Sequence, residues 1–454
     1  MADKRAVKLE PIDINEKLPF SEILIMGLQH VLTLFPGTIA VPLILASALN
    51  LDARLTTVMI TSTLFATAIT TFIQVQGIGK NIGSRLPLVL GSAFAPLSPM
   101  IAIGLKYDIP SIFGAIIGSG LILFLLSFFM EKVVKFFPPV VVGAFVTIIG
   151  VTLAPTAFKD LAGGNPAAKN FGDPKNLLLG LGVLLIIILL SIFARGMVRN
   201  LAILIGLVVG ILAAIPMGLL DLGPVTHEAF FMPITPFKFG LPKFGIGSIL
   251  IMTLFCMINT IQCFGAFAFL DEVTGRTTGP KQQINGIRGQ ALGQMIAGCF
   301  NASPSSTFNE NIGIIKLSRI GSRSTVTCAS IILLIISFSP KFCALITAIP
   351  KPVIGGATLA LFGTITAAGI SILSSVDYSN NNNSIVLGTS MALGIGANFT
   401  GDAFNHLPTV ASMLLSNGLF VVSFAAVILN IVVNFRTYFP KKALTSDSKV
   451  VENS

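Results

Sequence analysis

Apolar runs of roughly membrane-spanning length, separated by glycine, proline or charge, recur along almost the whole chain. They lie near 21–46, 55–75, 87–104, 111–130, 138–157, 176–195 and 201–220, and again near 246–270, 287–300, 304–319, 324–347, 353–375, 383–398 and 408–434. A helix crossing a bilayer needs about 20 apolar residues, so the pattern predicts fourteen segments in two groups of seven. Composition supports this. With 53% hydrophobic and only 11% charged residues, against about 25% charged in soluble domains, the chain is predicted to be an all-α polytopic membrane protein embedded in lipid. Its net charge of +10 would hint at nucleic acid in a soluble domain. Here basic residues flanking spans read as cytoplasmic loops instead, and no nucleic-acid partner is expected.

Charge also orients the chain. With the N-terminus inside, nineteen Lys and Arg fall in the tails and even-numbered loops and nine in the outer loops. That bias places both termini in the cytoplasm, as an even number of spans requires. Residues 1–19, MADKRAVKLEPIDINEKLP, are polar and charged and lack the apolar run of a signal peptide. They read as a cytoplasmic tail, and 436–454 as a second.

An internal repeat divides the spans. FPPVVVGAFVTIIG at 137–150 echoes IPKPVIGGATLALFG at 349–363, with Pro139, Gly143 and Gly150 falling on Pro352, Gly356 and Gly363 at an offset of 213. This puts the fifth segment on the twelfth. Because seven is odd, the halves would have inverted topology, a common plan in secondary transporters. The same offset lands Ser92, Ala93 and Phe94 on Ser305, Ser306 and Thr307. Both stretches are poor continuous helices: LPLVLGSAFAPLSP at 86–99 holds three prolines, and NASPSSTFNENIG at 301–313 is polar. Irregular backbone at membrane depth must be buried in protein or line a wet cavity. Paired interrupted segments therefore point to a midplane binding site at the third and tenth segments.

Glu310 lies in the tenth of these segments. An acid at the bilayer centre costs about 2.5–3.5 kcal/mol on insertion scales and needs a reason to be there, such as exchanging a proton or accepting hydrogen bonds from a substrate. Capping a half-helix is the structural alternative. Gln262, with Asn259 one turn earlier in the eighth segment, offers donors and an acceptor suited to one edge of a planar heterocycle. Its alternative is interhelical hydrogen bonding. His30 follows Gln29 in the first segment and could titrate near neutrality, or could simply pack. Phe94, beside Ala93, could stack on an aromatic ligand. The five cysteines show no paired spacing and the three histidines lie far apart, so no metal site or disulfide framework is expected. No HExxH, GxSxG or Walker motif occurs. The chain is not expected to be an enzyme or to carry a cofactor.

At these residues the chain resembles the nucleobase-ascorbate transporter family, and within it the bacterial xanthine/uracil permeases, from about residue 20 to 435. The resemblance rests on Gln29-His30 in GLQHVLTLFPGTIAVPLIL and on the tenth-segment motif Glu310-Asn311-Ile312-Gly313, IIKL, Ser318-Arg319, where Ser replaces the usual Thr. It rests further on VLGSAFAPLSPMIAIG (89–104), FFPPVVVGAFVTIIGVTLAP (136–155), GQMIAGCFNASPSSTF (293–308) and PVIGGATLALFGTITAAGI (352–370). The resemblance implies fourteen segments in inverted repeats, with short extended stretches in segments 3 and 10. It implies a core domain (20–130 and 246–348) and a gate domain (131–245 and 349–435). It also implies proton-coupled uptake of a nucleobase across the plasma membrane by a homodimer, with Na+ an alternative coupling ion.

Carried over residue by residue, the family's binding positions fall on Gln262, Glu310, Phe94 with its neighbour Ala93, and Asn311, with His30 and Gln290 in supporting positions. Three departures stand out. Family members usually carry Glu where this chain has Gln262, the uracil branch carries His where it has Ala266, and many members carry Asp where it has Gln290. Xanthine permeases pair an eighth-segment Glu with a tenth-segment Gln, and this chain has the two exchanged. One carboxylate is thus kept but moved across the site, leaving Glu310 as acceptor and proton carrier and Gln262 as a mixed donor-acceptor. Overall length, spacing and loop sequences resemble those of the xanthine and urate permeases more than the uracil ones, and this resemblance implies a purine, xanthine or urate. A uracil or other nucleobase permease and an uncoupled facilitator of the same fold are the alternatives.

Overall fold

A computed structural model describes residues 11–434, apart from 221, 227, 228 and 380. The expected tail at 436–454 and the first ten residues of the N-terminal tail lie outside the described residues.

The first half contains α1 (Phe20–Ala48), α2 (Ala53–Gln76), a strand β1 (Leu90–Ser92), α3 (Leu97–Lys106), α4 (Ile109–Leu126), α5 (Pro139–Leu161), α6 (Pro174–Phe193) and α7 (Ala202–Ala214). The second contains α8 (Ile246–Thr274), α9 (Pro280–Cys299), β2 (Ser305–Thr307), α10 (Asn309–Ser318), α11 (Arg323–Ser337), α12 (Pro340–Thr347), α13 (Lys351–Leu373), α14 (Asn381–Phe399) and α15 (Gly418–Val433). Starts are marked by residues that satisfy orphan N–H groups or tolerate their absence. Asp52, Asp108, Asp173 and Asn417 cap α2, α4, α6 and α15, and proline opens α4, α5, α6, α9, α12 and α13.

Seven of the described helical stretches are long and apolar enough to cross a membrane, or eight if the bent pair α11 and α12 counts as one span. Along α6, Leu178, Leu185 and Ile192 are 73%, 55% and 63% exposed. Such a continuous apolar face would be unstable in water and belongs against lipid. The chain is a multi-pass membrane protein.

The sequence reading differs from the structure at three places. The segment expected at 324–347 is two helices meeting at 84°, because Pro340 cannot continue α11 and Ser339 caps a new start. The ninth helix begins at Pro280 rather than near 287. Its polar first turns, read as loop, are held by the loop that follows α2, where Gln282 Nε2 donates to the Ser84 carbonyl at 2.8 Å and Gly83 N donates to Asn285 O at 2.7 Å. Third, the end of the N-terminal tail is docked. Ile12 and Ile14 are only 4% and 6% exposed and enter an apolar cluster with Phe267 and Leu270 of α8 and Ile312 and Ile315 of α10. Ile12 N donates to Thr274 O (2.9 Å), and Ile14 O accepts from Arg323 N (2.8 Å).

The most extensive helix contact is between α5 and α13, the two helices that carry the sequence echo. Gly150 permits it: a methyl group there would lie 2.4 Å from the Phe362 carbonyl oxygen. Around this pair α6, α7 and α15 assemble, while α2, α4, α9 and α11 pack among themselves and against α1 and α8.

Candidate functional site

β1 and β2 pair antiparallel in the interior, Leu90 opposite Thr307, Gly91 opposite Ser306 and Ser92 opposite Ser305. The central strand residues are short for a reason. A methyl group on Gly91 would sit 2.5 Å from both Leu34 Cδ1 and Phe308 Cε2. The ladder extends outward through Ala93 N to Pro304 O (2.8 Å) and Phe308 N to Val89 O (3.1 Å). Side chains satisfy what remains of the exposed backbone. Ser92 Oγ donates to Thr38 O (2.9 Å), and the Ser305 carbonyl accepts from Gln290 Nε2 (2.9 Å) and Asn259 Nδ2 (3.2 Å). Non-helical backbone is affordable at this depth only with such partners.

Beyond the strands, α3 and α10 each run ten residues. The cavity between them, about 160 Å³, is walled by Ala95 just before α3 and by Phe308, Asn309 and Glu310 at the start of α10. The first N–H groups of a helix have no internal partner and carry partial positive charge, so this end of α10 presents donors to the cavity.

Gln262 of α8 and Glu310 both line this cavity. Gln262 Nε2 is enclosed and has no hydrogen-bond partner. The Glu310 side chain is open to the cavity, and among the described residues no cation pairs with it. Phe94 supplies an aromatic wall, its ring set edge-on to Phe362 of α13 at 5.8 Å and 89°. α5 and α13 complete the lining, and of their residues Val146, Ile149, Leu361, Thr364, Ile365 and Ala368 only Thr364 is polar.

The cavity therefore offers one aromatic wall, a donor-rich amide and a carboxylate, which together suit a small planar heterocycle with polar edges. Comparison with known proteins agrees with that chemistry. Residues 21–402 match a family model described as "Permease family", that of the xanthine and uracil permeases. The xanthine permease of Bacillus subtilis is 38% identical over 415 residues, 91% of this chain and 94% of that protein. The uric acid permease PucK of the same organism is 39% identical over 422 residues, 93% and 97% of the two chains. The chain belongs to the nucleobase-ascorbate transporter family.

Members of this family and these relatives are permeases, not enzymes. The fold extends further. The transmembrane domain of a cyanobacterial bicarbonate transporter, BicA, superposes with a TM-score of 0.58 at 15% identity, covering 92% of this chain and all of that one.

Of the family positions expected at the site, the structure brings Gln262, Glu310 and Phe94 to the cavity wall and places four others behind it. Ala93 is buried in the strand ladder. Asn311 is buried and ties α10 to α1, its Nδ2 donating to His30 O (2.9 Å) and facing His30 Nδ1 (3.1 Å). His30 is fully buried and does not line the cavity. Gln290 bridges Ser305 O and Cys263, whose Sγ donates to Gln290 Oε1 at 2.6 Å. Sequence reasoning passed over Asn309, the strand residues Ser306 and Thr307 as lining groups, and Thr364. Thr364 follows directly on the 349–363 stretch that echoes α5 and carried no signal of its own.

Proposed function

We propose that the chain imports a purine nucleobase, xanthine or urate, by proton symport with alternating access. The observation that carries this reading is the pairing in one cavity of Gln262, whose Nε2 has no protein partner, with Glu310, whose carboxylate has no counter-ion among the described residues. Unpaired polar groups are costly in a closed interior, and a ligand that completes them gains what the protein leaves unmade. A purine N–H would donate to Glu310, a ring carbonyl would accept from Gln262, and the ring face would lie on Phe94. Ala93 and Asn311 position this set from behind, as do His30 and Gln290. Glu310, the single acid at the site, would hold the coupling proton, with Na+ the alternative ion.

The architecture that goes with this function has fourteen segments in inverted repeats of seven. The strand register supports it: the offset that maps Ser92 onto Ser305 also makes those two residues opposite partners in the ladder, as a two-fold axis between them requires. The core domain comprises 20–130 and 246–348, and the gate domain 131–245 and 349–435. Both termini face the cytoplasm, the bilayer is the plasma membrane, and the homodimer rests on family resemblance.

A second reading, an uncoupled facilitator, is favoured by the neutral Gln262 and Gln290 at positions where acids are usual. Uptake of radiolabelled xanthine into proteoliposomes, with and without an inward proton gradient and competed by urate, guanine, hypoxanthine and uracil, separates the two. Gradient-driven accumulation supports symport, and equilibration alone supports the facilitator. Absence of both uptake and competition overturns the purine assignment.

A further inference from the structure

The C-terminal ends of α1 and α5 and the N-terminal end of α13 meet at one end of the bundle, where Asp160 of α5 is 1% exposed. Asp160 Oδ1 accepts from Ser47 Oγ of α1 at 3.2 Å. Asp160 Oδ2 is enclosed without a partner. Lys351, at the first turn of α13, is electrostatically coupled to Asp160 without closing an ion pair, and Lys159 is the other charged neighbour. Gly164, at φ +85°, reports how near the lysine comes: a methyl group there would touch both Lys351 Cγ (3.1 Å) and Asp160 Oδ1 (3.5 Å).

We propose that Asp160 is a two-position latch between the moving halves of the transporter, held by Ser47 when this end is closed and by Lys351 when it opens. The inference rests on the core and gate assignment given above. Ser47 belongs to the core, and Asp160 and Lys351 belong to the gate. Side-chain hydrogen bonds that cross that boundary outside the loop preceding α8 include Ser47–Asp160 and Asn417–Ser98 (2.8 Å). A carboxylate that loses its only hydroxyl partner inside protein would be left uncompensated. Here Lys351, on the same side of the boundary, is already close enough for its charge to act on Asp160. When the core slides away from the gate, Asp160 exchanges Ser47 for Lys351 and stays paired in both states. Interfaces that must part repeatedly keep such contacts few and replaceable.

The test uses Thr364→Cys as a reporter in the full-length chain with its five native cysteines replaced. It is labelled by a membrane-impermeant maleimide from the face that carries the α5–α6 loop. Ser47→Ala removes the closed-state partner and should speed labelling about fivefold, with Ser47→Thr restoring the original rate. Lys351→Met removes the open-state partner and should slow labelling by a similar factor. These opposite signs distinguish a latch from general loosening. Equal rates in the two variants, or changes of the same sign, would overturn the proposal. Xanthine and urate binding to the same preparations tests the substrate reading separately, since labelling requires no ligand. Both Ser47→Ala and Lys351→Met should bind as the parent does.

Discussion

Ser92 and Ser305, 213 residues apart in the chain, face each other as the last pair of a two-stranded ladder, and Ser92 Oγ accepts from Ser303 Oγ at 3.0 Å. Everything at the site is hung from this crossing. α10 begins two residues after its strand and α3 five residues after its own, so the two half-helices and the cavity-lining side chains between them take their positions from the ladder.

The ladder's tolerance for bulk is therefore the first expected sensitivity. Gly91→Ala would drive a methyl group into Leu34, Phe308 and Thr38 Oγ1, the last at 2.7 Å. Overpacking of this kind costs about 1–3 kcal/mol. Thermal unfolding in detergent should show a lowered midpoint, and uptake per folded molecule should fall at least tenfold. Wild-type uptake would contradict the ladder's positioning role.

Asn311→Leu removes both contacts to His30 and leaves the His30 carbonyl without the donor that now reaches it. A lost partner for a buried group costs about 1–3 kcal/mol. Because α10 would loosen on α1, apparent substrate affinity should weaken more than maximal uptake rate. Saturation kinetics read this directly, and a change in rate alone would speak against tethering.

Ile14→Ser tests the docked N-terminal segment. Burying an isoleucine contributes about 1.5–3 kcal/mol, and its neighbours in the cluster include Ile312 and Ile315 on the opposite face of the helix that carries Glu310. The expected result is a lower unfolding midpoint together with weaker xanthine binding. Unchanged behaviour in both would mean the segment is a passive tail.

Much of this was legible in the amino-acid sequence because the bilayer leaves few options. Prolines and polar residues in 86–99 and 301–313 made a continuous helix a poor fit, and each stretch proved to hold a three-residue strand followed by the start of a ten-residue helix. Glu310 and Gln262 stood out as polar groups in apolar surroundings, and both reached the cavity. His30, Asn311 and Gln290 carried the same signal but turned away from it, since polarity alone cannot distinguish a side chain that waits for a ligand from one that holds a backbone. Ile12 and Ile14 were masked by the charges around them. The kink at Pro340 was hidden inside a run apolar enough for one span. Thr364 was obscured because a hydroxyl on a helix commonly bonds its own backbone, as Thr364 Oγ1 does to Leu361 O at 2.7 Å.

Phe94→Ala removes the aromatic wall that a purine would stack on. Loss of a face contact of this size is worth about 0.5–1.5 kcal/mol beyond simple area, so binding should weaken roughly tenfold while Phe94→Tyr keeps most of it. Isothermal titration with xanthine and urate gives the numbers. Equal affinity in the alanine variant would place the ligand elsewhere.

The most direct test of the central claim is equilibrium binding of xanthine and urate to purified protein carrying Glu310→Gln, alone and with Gln262→Glu. The account predicts that Glu310→Gln weakens binding at least tenfold and abolishes gradient-driven uptake. Restoring a carboxylate at 262 should return part of the affinity, because the site requires one acid and not two. Undiminished binding by Glu310→Gln would show that the carboxylate does not read the ligand, and the proposed site would fall with it.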